Sequence, residues 1–167
     1  MLVRSLTIDD LDRMARINQE GLPGTGKISD KQLATLLDMC ELAIGVEKEG
    51  VLVGYVLCLL RGAPYWSLNY AWFNERYKKF IYVDRIAVDT QFRDQGIGSK
   101  LYQKVIQYST KNNVSITAEV SLDPPNPGSD RFHIRHSFNS VGEFHQENQS
   151  VTMYIRDYQL NKNGKNK

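Results

Sequence analysis

Cysteine is scarce in this chain, and so is any excess of charge. Cys40 and Cys58 are the only two cysteines; they stand far apart, in no CxxC spacing and with no histidine beside either, which argues against a metal site and against a disulfide scaffold. Lysine and arginine number 21 against 19 aspartate and glutamate, a net charge of +2, so no basic surface is expected that would draw nucleic acid or an anionic membrane. Long apolar runs are missing as well. No segment approaches the ~20 residues of a membrane-spanning helix, and Met1 to Asp10 lack the apolar stretch of a signal peptide. These absences predict a soluble, cytoplasmic protein with no metal, no nucleic-acid partner and no membrane.

What is present is a globular composition, 41% hydrophobic and 24% charged over 167 residues, enough for one core and short for two. A single domain is expected over residues 1–160. The tail, 161–167, holds only lysine, asparagine and glycine; with nothing apolar to dock, it is expected to be disordered.

Along the chain, Val3 to Leu6 read as a strand, and Thr7 precedes a helix through Leu11, Met14, Ala15 and Ile17 as its N-cap. Gly21 to Gly26 break the pattern, and Ser29 caps a second helix through Leu33, Leu36 and Met39. Leu42–Val46 and Val51–Leu60 flank Glu47-Lys48-Glu49-Gly50, the makings of a hairpin. Arg61 to Phe80 are too aromatic for a solvated loop and too irregular for a strand. Alternation in the strand Ile81–Val88 puts Tyr82, Asp84, Ile86 and Val88 on one face unless a bulge intervenes. A helix through Leu101, Tyr102, Val105 and Ile106, a strand over Val114–Leu122, a short helix capped by Ser129 and a last strand, Val151–Ile155, complete the order. The result is an α/β fold, a mixed and mostly antiparallel central sheet flanked by helices.

Between the strand ending at Val88 and the next helix lies Arg93-Asp94-Gln95-Gly96-Ile97-Gly98. Two positions without Cβ let several N–H groups converge at a helix N-terminus, where the dipole is positive, and that suits a phosphate or pyrophosphate. A tight strand-to-helix turn would use the same letters. A P-loop is a poor fit because Ser99-Lys100 reverse its Lys-Ser/Thr order, and a dinucleotide fingerprint is too, because Leu101 stands where a third small residue belongs.

Arg93-x-x-Gly96-x-Gly98 after Val83 to Asp89 resembles the acetyl-CoA-binding signature of the GNAT superfamily of N-acetyltransferases. Asn126-Pro127, Arg131-Phe132-His133 and Ser137-Phe138 resemble that family's late region, and the likeness runs over roughly residues 3–156. It implies the GNAT acyl-CoA N-acyltransferase fold and acetyl-CoA as co-substrate. Backbone of Ile86, Ala87 and Val88 would pair with the pantetheine arm, Arg93, Asp94, Gln95, Gly96, Ile97, Gly98 and Ser99 would hold the pyrophosphate, and Asn126 would touch the cofactor. The sheet is expected to splay between this strand and the next, with an N–H of the strand carrying Val88 facing the thioester oxygen.

Acetyl transfer to a primary amine by direct attack in a ternary complex needs a base for the ammonium and a proton for the departing thiolate. Family members often carry the acid as a tyrosine where this chain has His133, so His133 becomes the candidate acid; a surface histidine is the bland reading. Asp84, on the supposed face of Ile86 and Val88, is the candidate base, with an ion pair as its alternative. Tyr82, Tyr65, Trp66 and Tyr70 are candidates to line the acceptor site, a small-molecule or peptide amine. A catalytically weak acetyl-CoA-binding regulatory module is the alternative function and a dimerisation module a third. The chain is expected to act as a monomer or homodimer.

Overall fold

The computed structural model describes residues 1–159; the expected tail, 161–167, lies outside them. The strands are β1 (Leu2–Ser5), β2 (Leu42–Lys48), β3 (Val51–Leu60), β4 (Phe80–Val88), β5 (Ser115–Asp123), β6 (Asn139–His145) and β7 (Ser150–Arg156); the helices are α1 (Leu11–Glu20), α2 (Asp30–Met39), α3 (Leu68–Arg76), α4 (Ile97–Asn112) and α5 (Pro127–Arg135). One sheet contains every strand in the order β1-β2-β3-β4-β5-β7-β6. All neighbours run antiparallel except β4 and β5.

Local chemistry explains most boundaries. Thr7 and Asp10 form a capping box around a turn of 3-10 helix that leads into α1, and Ser29 with Gln32 does the same for α2. Glu49 and Gly50 both take positive φ, 53° and 78°, the turn that matches the twist of a two-residue hairpin. The N-cap of α5 is Asn126, not Ser129: its side chain accepts the Ser129 N–H at 3.3 Å, and Pro127 fills the first turn, where a missing N–H costs nothing. Two elements do not follow the expected pattern. The aromatic stretch contains α3, capped by Ser67, and β6 is an exposed, polar edge strand whose alternation carries little hydrophobic signal.

Two apolar layers cover the sheet. One packs α1, α2 and α3 against Tyr55, Leu57, Phe80 and Tyr82; the other packs α4 and α5 against Val56, Ile81, Val83 and Ala118. The expected alternation of β4 fails at its middle. Val83 stands opposite Cys58 and Arg85 opposite Leu57, so Asp84 has no partner and forms a bulge. An extra residue resets which side chain faces which layer: Phe80, Tyr82 and Ala87 point to the first layer, Ile81, Val83, Ile86 and Val88 to the second. Tyr82 and Asp84 therefore do not share the face of Ile86 and Val88.

Pairing between β4 and β5 stops after Tyr82 and Thr117. Beyond that point the strands part, and the side of β4 facing the gap is left without strand partners. Among the described residues no helix is long and apolar enough to cross a membrane, and no group of three or more His, Cys, Asp or Glu is arranged to hold a metal ion.

Candidate active site

Two cavities adjoin at the gap, and Gly24, Thr25, Ile86, Ser129 and His133 line both. The first, of about 430 Å³, is walled by Ile86, Ala87, Val88, Arg93, Asp94, Gly96, Ile97, Gly98, Ser99 and Asn126, within the usual ~300–1,000 Å³ of a small-molecule site. Every residue expected at the cofactor is there except Gln95, whose amide oxygen turns outward to accept Lys48 Nζ at 3.2 Å.

Each glycine of the motif has a separate reason. Gly96 is the N-cap of α4 at φ 76°, a conformation that strains any L side chain. Gly98 lies against Phe132, whose ring would stand 3.2 Å from a Cβ. No side chain caps α4, so the N–H groups of its first turn, which no intrahelical carbonyl can reach, are left open toward the cavity. Sixteen residues of helix stand behind them. This is a backbone cradle that fits a pyrophosphate.

The second cavity, about 270 Å³, is made of side chains. Tyr65, Trp66, Asn69, Tyr82, Asp84 and Glu119 are among its walls. Glu119 projects from β5 on the face opposite Ile116, Ala118 and Val120, and it is half-buried; solvent reaches it through the cleft, while protein surrounds it otherwise. Burial, reinforced by the charge of Asp84, pushes its carboxyl up to about 7 against the hydrogen bond from Tyr82. The Tyr82 hydroxyl donates to Oε1.

Asp84 is committed elsewhere. Its Oδ2 accepts Arg85 Nε at 2.7 Å, and the two side chains are only 4% and 7% exposed, the ion-pair alternative to a free base. Arg85 Nη1 also donates to Asn18 Oδ1 and the Gly26 carbonyl, at 2.9 and 3.0 Å, which ties the α1–α2 loop to the bulge. His133, far from being a surface residue, is 3% exposed. Its Nδ1 meets the Ser129 carbonyl at 2.8 Å, an acceptor only, so the proton sits on Nδ1. Nε2 then accepts the Tyr102 hydroxyl at 2.7 Å. Burial lowers the His133 pKa, and the neutral ring in this tautomer has no N–H left to offer a thiolate.

Tyr65 and Trp66 line the second cavity as expected, but Tyr70 lines neither. It is 1% exposed, its hydroxyl donates to the Leu60 carbonyl and accepts the Ala63 N–H, and its ring packs on Phe80 and Tyr82. Tyr70 is a core residue. Sequence reading missed Glu119, Arg85 and Tyr102. The signal for Glu119 was faint: a carboxylate alternating with Ile116, Ala118 and Val120 in a strand whose remaining positions include Ser115, Thr117 and Ser121, the ordinary pattern of a half-buried strand.

Comparison with known proteins agrees with this architecture. A curated relative from Archaeoglobus fulgidus, described as an uncharacterized N-acetyltransferase, is 26% identical over 133 residues, 80% of this chain and 89% of its own. The fold is shared with Ard1 from Thermoplasma volcanium (TM-score 0.75, 18% identity, 93% of this chain and 96% of that one). It is also shared with Arabidopsis thaliana NAA60 in complex with acetyl-CoA (TM-score 0.72, 17% identity, 93% and 98%). The model of the Acetyltransferase (GNAT) family matches residues 11–138, and the chain accordingly belongs to that family and is an acyltransferase.

Proposed function

We propose that this chain moves an acetyl group from acetyl-CoA to a primary amine, with acetyl-CoA in the motif-side cavity and the amine entering past Glu119. The observation that carries the reading is the meeting of the two cavities where β4 and β5 part, one walled by an uncapped helix N-terminus and the other floored by a carboxyl with a pKa of about 7. A base is most effective when its pKa lies near the working pH.

Acetyl-CoA supplies an activated acetyl thioester. The first-turn N–H groups of α4 hold its pyrophosphate, and the open side of β4 at Ile86 and Val88 pairs with its pantetheine arm. Glu119 takes one proton from the incoming ammonium, with Tyr82 fixing one carboxylate oxygen so that the other faces the amine. The freed nitrogen bonds to the acetyl carbon, the carbon–sulfur bond breaks, and a second amine proton passes to sulfur. An N–H of β4 beside Val88 steadies the oxygen as charge builds on it. The books balance without an imidazole acid, so His133 shapes the junction and does not protonate the thiolate.

An amine library incubated with acetyl-CoA, read by released thiol and by product mass, tests this. Acetylated product is expected for at least one amine. Tight acetyl-CoA binding with no product from any amine would favour the regulatory module instead.

A further inference from the structure

Among the described residues Arg85 is the only buried lysine or arginine, and its ion pair does not use all of it. A guanidinium carries five N–H donors. Nε goes to Asp84, and Nη1 to Asn18 and the Gly26 carbonyl; the two N–H groups of Nη2 make no hydrogen bond within 3.5 Å to a described residue, although the Tyr65 hydroxyl lies beside the Asp84–Arg85 pair. Nη2 is not sealed in protein either, since among the described residues the only fully buried side-chain nitrogens or oxygens without a partner are Tyr55 Oη and Thr117 Oγ1. Arg85 lines the same cavity as Glu119. Gly26 keeps that side of the guanidinium uncovered, for a Cβ there would stand 3.5 Å from Nη2.

We propose that Arg85 Nη2 receives the carbonyl oxygen on the carbon next to the reacting amine, which makes the acceptor the α-amine of a peptide chain and not a simple alkylamine. This narrows the reading of Glu119 as base and rests on it. Charge favours a neutral carbonyl over a carboxylate. Asp84 already compensates Arg85, so a carboxylate bound there would be a third acid beside Asp84 and Glu119, and the other cation on the cavity wall, Lys27, is exposed to solvent that screens it. The exposed Lys27 and the half-exposed Trp66 line the cavity, and a continuing chain would leave past them.

The test compares three acceptors at saturating acetyl-CoA, with rates referred to the unprotonated fraction of each: alanyl-glycinamide, isopropylamine, which lacks the carbonyl, and free alanine, which has a carboxylate. The dipeptide amide is expected to exceed both in kcat/KM by about tenfold to a hundredfold, the worth of a hydrogen bond to a charged donor. Arg85→Lys keeps the charge beside Asp84 and loses the fork, so that ratio should shrink while acetyl-CoA affinity, measured by calorimetry, reports an intact fold. If the variant does not fold, the wild-type ratios decide alone. Equal or better use of isopropylamine or alanine by the wild type overturns the proposal while leaving Glu119 as base, and an undiminished ratio in folded Arg85→Lys overturns it too. Failure of every amine would remove the broader reading with it.

Discussion

The two cavities differ in what they are made of. The motif-side wall is largely backbone: the open first turn of one helix, the unpaired side of one strand, and two glycines, one for its positive φ and one for its contact with Phe132. The opposite wall is mostly side chains from seven separate stretches, the α1–α2 loop, the segment leading into α3, β4, α4, β5, α5 and the start of β7. A backbone site is written in contiguous letters, because conformation and close approach are local demands. A side-chain site depends on register, and one bulged residue at Asp84 re-aims everything after it. The first wall should therefore be sensitive to shape, the second to charge.

The largest effect is expected at Glu119. Glu119→Gln should lower kcat/KM about 10²- to 10⁴-fold, the usual worth of a general base, with acetyl-CoA affinity little changed. In the wild type, activity should climb as pH rises through about 7, where this carboxyl ionises, and the variant should lose that limb. Stability should move the other way. A carboxyl whose folded pKa is raised stabilises the fold below its unfolded value, near 4.5, and that contribution is lost as pH rises through about 7. Glu119→Gln should accordingly melt higher than wild type at pH 8 and lose the advantage at pH 4. A variant with equal turnover at both ends of the pH range would remove Glu119 from the chemistry.

Next comes the backbone wall. Gly96→Val puts a β-branched residue at φ 76°, where it is strained by about 1–2 kcal/mol, and the turn must open to relieve it. Acetyl-CoA affinity should fall by about tenfold, since 1.4 kcal/mol is a factor of ten. Calorimetry reads this directly, and acceptor discrimination should be unchanged because no side chain of the other cavity moves.

This contrast also accounts for what could be read from the letters. The fold class followed from hydrophobic period, whereas the parting of β4 and β5 and nearly the whole motif-side wall came only from the likeness of the Arg93 to Gly98 run and its surroundings to the GNAT signature. Asp84 and Tyr82 were put on the wrong face because alternation cannot see a bulge, and Tyr70 was offered to a substrate because its aromatic neighbours looked alike in one dimension. Only packing separates Tyr70, 1% exposed, from Trp66, 49% exposed. β6 was missed because an exposed edge strand needs few apolar residues.

A smaller kinetic effect is expected where the cavities meet. His133→Phe leaves the Tyr102 hydroxyl buried without its acceptor, which costs about 1–3 kcal/mol of stability, and Tyr102→Phe strands the imidazole nitrogen in the same way. The double variant should recover part of the sum, a coupling visible in denaturant unfolding. Turnover per folded molecule should fall modestly in both single variants. A far larger loss in His133→Phe than in Tyr102→Phe would return the acid role to the imidazole.

Asp84→Asn should change turnover least at its best pH, yet it distinguishes the two carboxylates most sharply. Asp84 is paired at 2.7 Å with a buried arginine, so the amide should destabilise the fold by leaving Arg85 uncompensated. Its effect on catalysis should act at a distance. The negative charge of Asp84 raises the Glu119 pKa; removing it, and leaving the arginine charge behind, favours the ionised form of Glu119 and lowers that pKa. The rising limb of the pH profile should slide to lower pH with its shape kept, so that the variant loses least, or even gains, on the acid side. Were Asp84 itself the base, the same substitution would abolish the limb instead of moving it, and the deficit would be greatest at low pH, where the amine most needs its proton taken.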